Sequence, residues 1–195
     1  MTMPAVVPGF EASAVSFDQP FEMLGACHER TRRSCQLLVR LTTYLSDHEI
    51  DELARQAATD VLRYFTLAAP QHHKDEELHV VPLLRASGDA KLTEVAERIL
   101  SDHRKMENGW RGLAPLLEAV VPGATRQLAT LAAAVEGFVL LHNEHLTLEE
   151  AWAFPAARAF QSHLGPNDLA NMGEEMAARR VVHRSERSPT GNLTL

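Results

Sequence analysis

Hydrophobic positions in this chain recur at alternating steps of three and four, the spacing that lines apolar side chains along one face of an α-helix. Phe21, Leu24, His28, Thr31, Cys35, Leu38, Thr42 and Leu45 make the first such stripe. A second periodic segment runs from Ile50 to about Ala86, where Pro70 and Pro82 are expected to kink the helix or open a fresh turn. "SGDA" (87–90) reads as a stop followed by an N-cap for a third segment, Lys91 to Val120, which "VPG" (121–123) ends. The fourth spans Ala124 to Phe154 and is bent or ended by Pro155. A short helix near 156–164, a "GPND" break (165–168) with a Pro-initiated start, and a final helix to about Arg184 follow. Alternating β-branched runs are missing, and Ala, Leu, Glu and Arg dominate.

Four long amphipathic segments with short connections predict an all-α, up-down-up-down four-helix bundle over 21–155. An N-terminal arm (1–20) with three prolines precedes it, a helical extension (156–184) follows, and the tail (185–195) reads as disordered.

Composition changes this picture only by exclusion. Of the 195 residues 45% are hydrophobic and 23% charged, so a well-cored domain is expected rather than a disordered chain. A net charge of −7 gives no footprint for nucleic acid or an anionic membrane. No apolar run reaches the ~20 residues of a membrane span, and the first residues lack the pattern of a signal peptide. Cys27 and Cys35 lie on one predicted helix, roughly 12 Å apart at 1.5 Å per residue, too far for a disulfide. Reduced, partly buried thiols in a cytoplasmic protein are expected.

The ten histidines do change it. Aligned on Pro82 and Pro155, "HHKDEELHVVP" and "HLTLEEAWAFP" both read H-x-x-x-E-E-x-x-x-x-P without a gap. A related His103 to Glu107 pair lies in the third segment and a lone His28 in the first, 42 residues before His145 and 44 before His72 respectively. The chain thus reads as two helical hairpins, each offering a histidine and then a His–Glu pair one turn apart on one face. Stepping back along each helix places all four histidines on apolar stripes: Leu141, Phe138, Leu131 and Leu128 before His145; Ile99, Ala96 and Leu92 before His103; Ala68, Phe65 and Val61 before His72. Trp110 and Trp152, seven residues after His103 and His145, are placed to wall the same interior.

Imidazoles and carboxylates on inward faces are costly unless something answers them. A metal centre built from His28, His72, Glu76, His103, Glu107, His145 and Glu149 does so. Seven ligands exceed one four-coordinate zinc and suit two ions sharing carboxylates, and a donor set without thiolate fits iron or manganese. His73 with Glu77 is the alternative pair if Pro70 shifts the helix phase. Glu77 and Glu150 are alternative ligands, outer partners of the histidines, or solvated. Lys74 and Asp75 are expected to meet solvent. His79 and His142 lie near the stripes without a counterpart in the other copy and are expected to be hydrogen-bonded or exposed. His48, His163 and His183 are expected at the surface, as is the basic "ARRVVHRSER" (178–187), which can also dock a partner.

With "MLGACHERTRR" and "DHRKME" as weaker support, these two motifs make residues 20–155 resemble the hemerythrin-like, or HHE cation-binding, family. The resemblance implies a four-helix bundle around two non-haem iron ions joined by an oxo or hydroxo bridge, with manganese or zinc as substitutes, that binds O2 or related small ligands. Carried over by position, His28 and His72 would ligate one iron, His103 and His145 the other, with Glu76 and Glu149 bridging. Oxygen carriers of the family have a second histidine where Glu107 stands here. A carboxylate there favours the ferric state, which points away from a carrier and towards sensing of O2, nitric oxide or peroxide, redox chemistry on peroxide or O2, or iron handling. Motifs for a zinc-protease helix or a phosphate-cradling loop are lacking. The expected partners are therefore small ligands, with a protein partner at the C-terminal helix, and neither nucleic acid nor membrane.

Overall fold

The computed structural model describes residues 15–124, 127–161 and 165–185. The expected arm over 1–14, the tail from 186, His163 and the side chain of His183 lie outside them. The described residues are helical and carry no strand. Helix α1 is Pro20–Asp47. Helix α2 runs over 52–86 as Glu52–Arg63, Tyr64–Ala68, Ala69–Asp75, Glu76–Val80 and Val81–Ala86, the second and fourth of these being π turns. Helix α3 is Ala90–Glu118. Helix α4 runs over 128–161, with a π turn at Glu149–Ala153. Helix α5 is Pro166–Ser185.

Local chemistry sets the ends. Pro20 and Pro166 stand in the first turns of α1 and α5, where a missing N–H costs nothing. Asp51 caps α2 by accepting from Ala54 N, and Asp89 caps α3 by accepting from Lys91 N and Leu92 N. Gly88, at φ +73°, makes the left-handed turn between α2 and α3 that a side chain would resist. Sequence neighbours pack side by side, and α1 against α4 closes the ring, giving the expected up-down-up-down bundle.

Pro70 and Pro82 each open a fresh α segment, as expected, but Pro155 does not divide its helix. Pro155 neither ends nor isolates a helix: the segment expected at 156–164 is the continuation of α4 to Gln161. The reason is the same at three places. A proline lacks the N–H of the α pattern and its ring collides with the carbonyl four residues back. Each π turn ends two residues before a proline and closes on a wider bond: Ala69 N to Tyr64 O before Pro70, Val81 N to Glu76 O before Pro82, Phe154 N to Glu149 O before Pro155. The extra residue carried by a π turn also shifts the apolar stripe. Hence Ala69 is buried in α2 where the regular spacing predicts Ala68, which is exposed.

The apolar core is in two layers. One holds Leu38, Leu41 and Leu45 of α1, Val61 and Phe65 of α2, Leu113 and Leu117 of α3, and Leu131 and Phe138 of α4. The other holds Phe21 and Leu24, Val80 and Leu84, Val95 and Ile99, and Phe154, closed by Met172 and Met176 of α5. Truncating a fully buried leucine in either layer, Leu38→Ala or Leu84→Ala, is expected to cost about 2–5 kcal/mol of unfolding free energy in chemical denaturation.

Candidate metal centre

Between these layers the four bundle helices turn polar side chains inward. His28 comes from α1, His72 and Glu76 from α2, His103 from α3, and His145 and Glu149 from α4, none more than 4% exposed. Glu76 Oε1 stands 3.1 Å from His72 Nε2 and 3.5 Å from His28 Nε2, and its Oε2 lies 3.3 Å from His103 Nε2. Glu149 Oε2 stands 3.1 Å from His28 Nε2 and 3.2 Å from His145 Nε2. Two overlapping groups result: His28, His72, Glu76 and Glu149, and Glu76, His103, His145 and Glu149. In each, one donor atom per residue falls within 4.8 Å of all the others, and both glutamates belong to both groups.

The π turns explain the doubled glutamates of the repeat. Glu76 and Glu149 each open one, and the residue after each turns outward to a histidine of another helix. Glu77 Oε1 lies 3.2 Å from His103 Nδ1, and Glu150 Oε1 lies 2.9 Å from His28 Nδ1. An ionised carboxylate only accepts, so Nδ1 carries a hydrogen and Nε2 is the nitrogen left facing the interior, open to a second proton or, once that proton leaves, to a metal. Arg32 Nη2 holds Glu150 at 2.6 Å, and Lys74 Nζ lies 3.5 Å from Glu77.

The residues fit a cation on their own chemistry. Nε2 of all four histidines and both oxygens of Glu76 and Glu149 are buried without a hydrogen-bond partner. Each such group costs on the order of 1–3 kcal/mol when left unsatisfied. Their convergence is accounted for by positive charge between them. Nitrogen and carboxylate donors without thiolate suit iron, manganese or zinc. In the metal-free chain protons take part of that role. Burial lowers a histidine, yet at His28 Glu149 and Glu76 outweigh it and push the group up to about 10. At His103 burial is likewise overcome by Glu76 and Glu77, to about 9. His72, with burial dominant, falls to about 4. Glu149, despite burial, is held well below the usual carboxylate range by His145 and His28.

Of the seven residues singled out by spacing, six meet here and Glu107 does not. Its side chain is 72% exposed and lies 3.8 Å from Arg111. The buried stripe of α3 passes from Ile99 through His103 and Met106 to Leu113, which leaves Glu107 on its outer flank. The choice in α2 falls to His72 with Glu76, while His73 stacks on His103 with ring centroids 4.2 Å apart. Burial, together with neighbouring His103, holds His73 well below its ordinary value. His142 is buried and its Nδ1 donates to Phe138 O at 2.8 Å. Trp110 packs on Phe65 and Phe138, but Trp152 stands outside, 42% exposed, with Lys91 Nζ 3.4 Å over its ring. Trp152 falls in the π turn, which rotates it off the stripe.

Two buried acids escaped the sequence reading. Asp75, expected in solvent, is fully buried and paired with Arg179 and Arg180 of α5, so those arginines are docked within the protein rather than solvated. Asp102 is buried between Arg98 and Lys105 of its own helix. A cavity of about 180 Å³ reaches the centre at His103; Phe65, Trp110 and Phe138 line it with His73, Glu77 and His142.

A helical bundle in which imidazoles and shared carboxylates meet between two apolar layers defines a protein built to hold cations. In agreement, a family model described as hemerythrin HHE cation-binding domain matches residues 19–157, and the chain belongs to that family. It is also 30% identical over 167 residues, 86% of this chain and 93% of the relative, to an uncharacterized protein of Haemophilus influenzae.

Two outcomes follow from this geometry. His72→Ala is expected to lower the metal content of purified protein, while His73→Ala and Glu107→Gln leave it unchanged, as read by elemental analysis. The raised histidines favour the metal-free fold below pH 6.5, and that contribution fades as pH climbs through about 9 to 10. A divalent metal added near neutral pH must therefore displace protons, about one to two per chain, visible as buffer-dependent heat in calorimetric titration.

Proposed function

We propose that this chain is a non-haem di-iron protein of the cytoplasm that binds O2, nitric oxide or peroxide and serves in sensing or the response to oxidative and nitrosative stress. One observation carries the reading: two overlapping sets of partnerless buried donors share both carboxylates, an arrangement suited to a pair of ions. His28 and His72 would hold one ion and His103 and His145 the other, with Glu76 and Glu149 common to both. When bound, iron supplies reversible binding of, and electron exchange with, small oxygen and nitrogen ligands. The chain's own part is to fix the imidazole tautomers through Glu77 and Glu150 and to exclude bulk water with the two apolar layers. It also leaves one small opening, the cavity at His103, whose size suits a ligand of a few atoms.

Glu107 no longer argues for a ferric preference, since it stands in solvent. Iron handling is disfavoured by burial, because ligands at most 4% exposed oppose rapid release. Redox catalysis on peroxide keeps one specific support: His73, His142 and Glu77 make the cavity at His103 polar on one side. The two free, buried cysteines agree with a reducing compartment, and among the described residues no helix is long and apolar enough to cross a membrane.

The test is metal analysis with ultraviolet–visible spectra. About two irons per chain, with charge-transfer bands that shift on adding azide and nitric oxide, are the expected result. A single zinc per chain that survives His28→Ala overturns it, and sustained peroxide turnover moves the reading to an enzyme.

A further inference from the structure

We propose that Arg179 and Arg180 of α5, acting through Asp75, are positioning residues for the His28–His72 half of the centre, so that the C-terminal helix and that half are energetically coupled. The proposal rests on the two-ion reading above.

Asp75 is the residue immediately before Glu76, at the position that precedes the π turn Glu76 opens. Its carboxylate is fully buried, and each oxygen faces an arginine of α5. Arg179 Nε donates to Oδ1 at 2.6 Å, and Arg180 Nη2 stands 2.7 Å from Oδ2 as an ion pair. Arg179 Nη2 also reaches His79 Nε2 at 2.8 Å, one turn further along the same π turn. Arg180 Nη2 lies 3.9 Å from Sγ of Cys27, the residue before His28. The two arginines therefore hold α1 and α2 at the positions next to His28 and Glu76.

Among the described residues the other half has no such attachment. Asp102, before His103, is answered by Arg98 and Lys105 of its own helix. In the second copy of the repeat the place of Asp75 is taken by Leu148, yet the π turn at Glu149 forms all the same. The turn thus does not need the acid, and what Asp75 adds is the link to α5. That helix is itself firmly seated: Met172 and Met176 are buried in the apolar layer, and a Cβ at Gly173 would collide with Phe17 O. A grip on Asp75 from so fixed an element restrains Glu76 in a way that solvent could not.

Coupling of this kind is reciprocal: whatever α5 contributes to metal binding, metal binding must return to α5. The experiment is titration of metal-free protein with cobalt(II), followed by its d–d absorption, in the wild type and in Asp75→Leu, which introduces the side chain the second copy tolerates. His28→Ala and His145→Ala assign the two binding steps. Asp75→Leu is expected to weaken the step lost in His28→Ala about tenfold and the other less than twofold. In the wild type, cobalt is expected to slow amide exchange across 166–185. Equal weakening of both steps, or none, in a variant with wild-type circular dichroism overturns the proposal, as does exchange in α5 that ignores the metal. Should Asp75→Leu not fold, Arg180→Met is read in the same way. A wild type that takes up fewer than two cobalt ions instead defeats the two-ion reading itself.

Discussion

Everything in this molecule is arranged around the cost of placing four imidazoles and two carboxylates in an apolar interior. Isolated, such groups would be excluded from a core or neutralised. Here they are gathered into one layer, where each carboxylate faces several histidines and a cation or its proton substitutes can answer them. The two apolar layers on either side keep water out and hold the helices at fixed spacing. Loss of either layer would admit solvent to the donors and remove the reason for their convergence.

The π turns are how a helix meets that demand. A regular helix offers one inward residue per turn, which suffices for His28 and His103. Presenting one glutamate inward and the next to a neighbouring helix's histidine asks for a wider turn, and the proline six residues after Glu76 and after Glu149 enforces it by forbidding the tighter one. The motif H-x-x-x-E-E-x-x-x-x-P is therefore a single mechanical unit. Histidine and first glutamate are ligands in waiting, the second glutamate fixes a tautomer across the bundle, and the proline sets the geometry of both.

Much of this was legible in the sequence because periodicity reports which way a residue faces in a regular helix. The four histidine positions, Glu76 and Glu149 follow from the stripes and the repeat. The failures fall where the period changes or where a distant element decides. Ala69 replaces Ala68 and Trp152 turns outward because π turns break the 3.6-residue count. Glu107 repeats the His-to-Glu spacing of Glu76 and Glu149, but it lacks the proline that follows each of them at six residues, a difference that the sequence did contain. Asp75 is decided by α5, about a hundred residues away, and nothing local in "HHKDEE" announces it. The contrast with Leu148 in an otherwise matched repeat was the one visible hint.

That contrast also bears on how the two halves of the centre differ. The ligand sets are near copies, as two hairpins of one design should be, but their surroundings are not. The His28–His72 half is backed by α5 and its arginines, and Phe154 stacks on His28 at 4.8 Å. The His103–His145 half borders the cavity, with His73 and His142 beside it. The cavity thus opens on one half, while α5 is attached to the other. Glu76 and Glu149 belong to both, so the two halves share carboxylates directly and need no chain of packed side chains to connect them. The asymmetry thus gives a near-symmetric set of donors one end beside a cavity and one end backed by α5, and the two carboxylates are what join them.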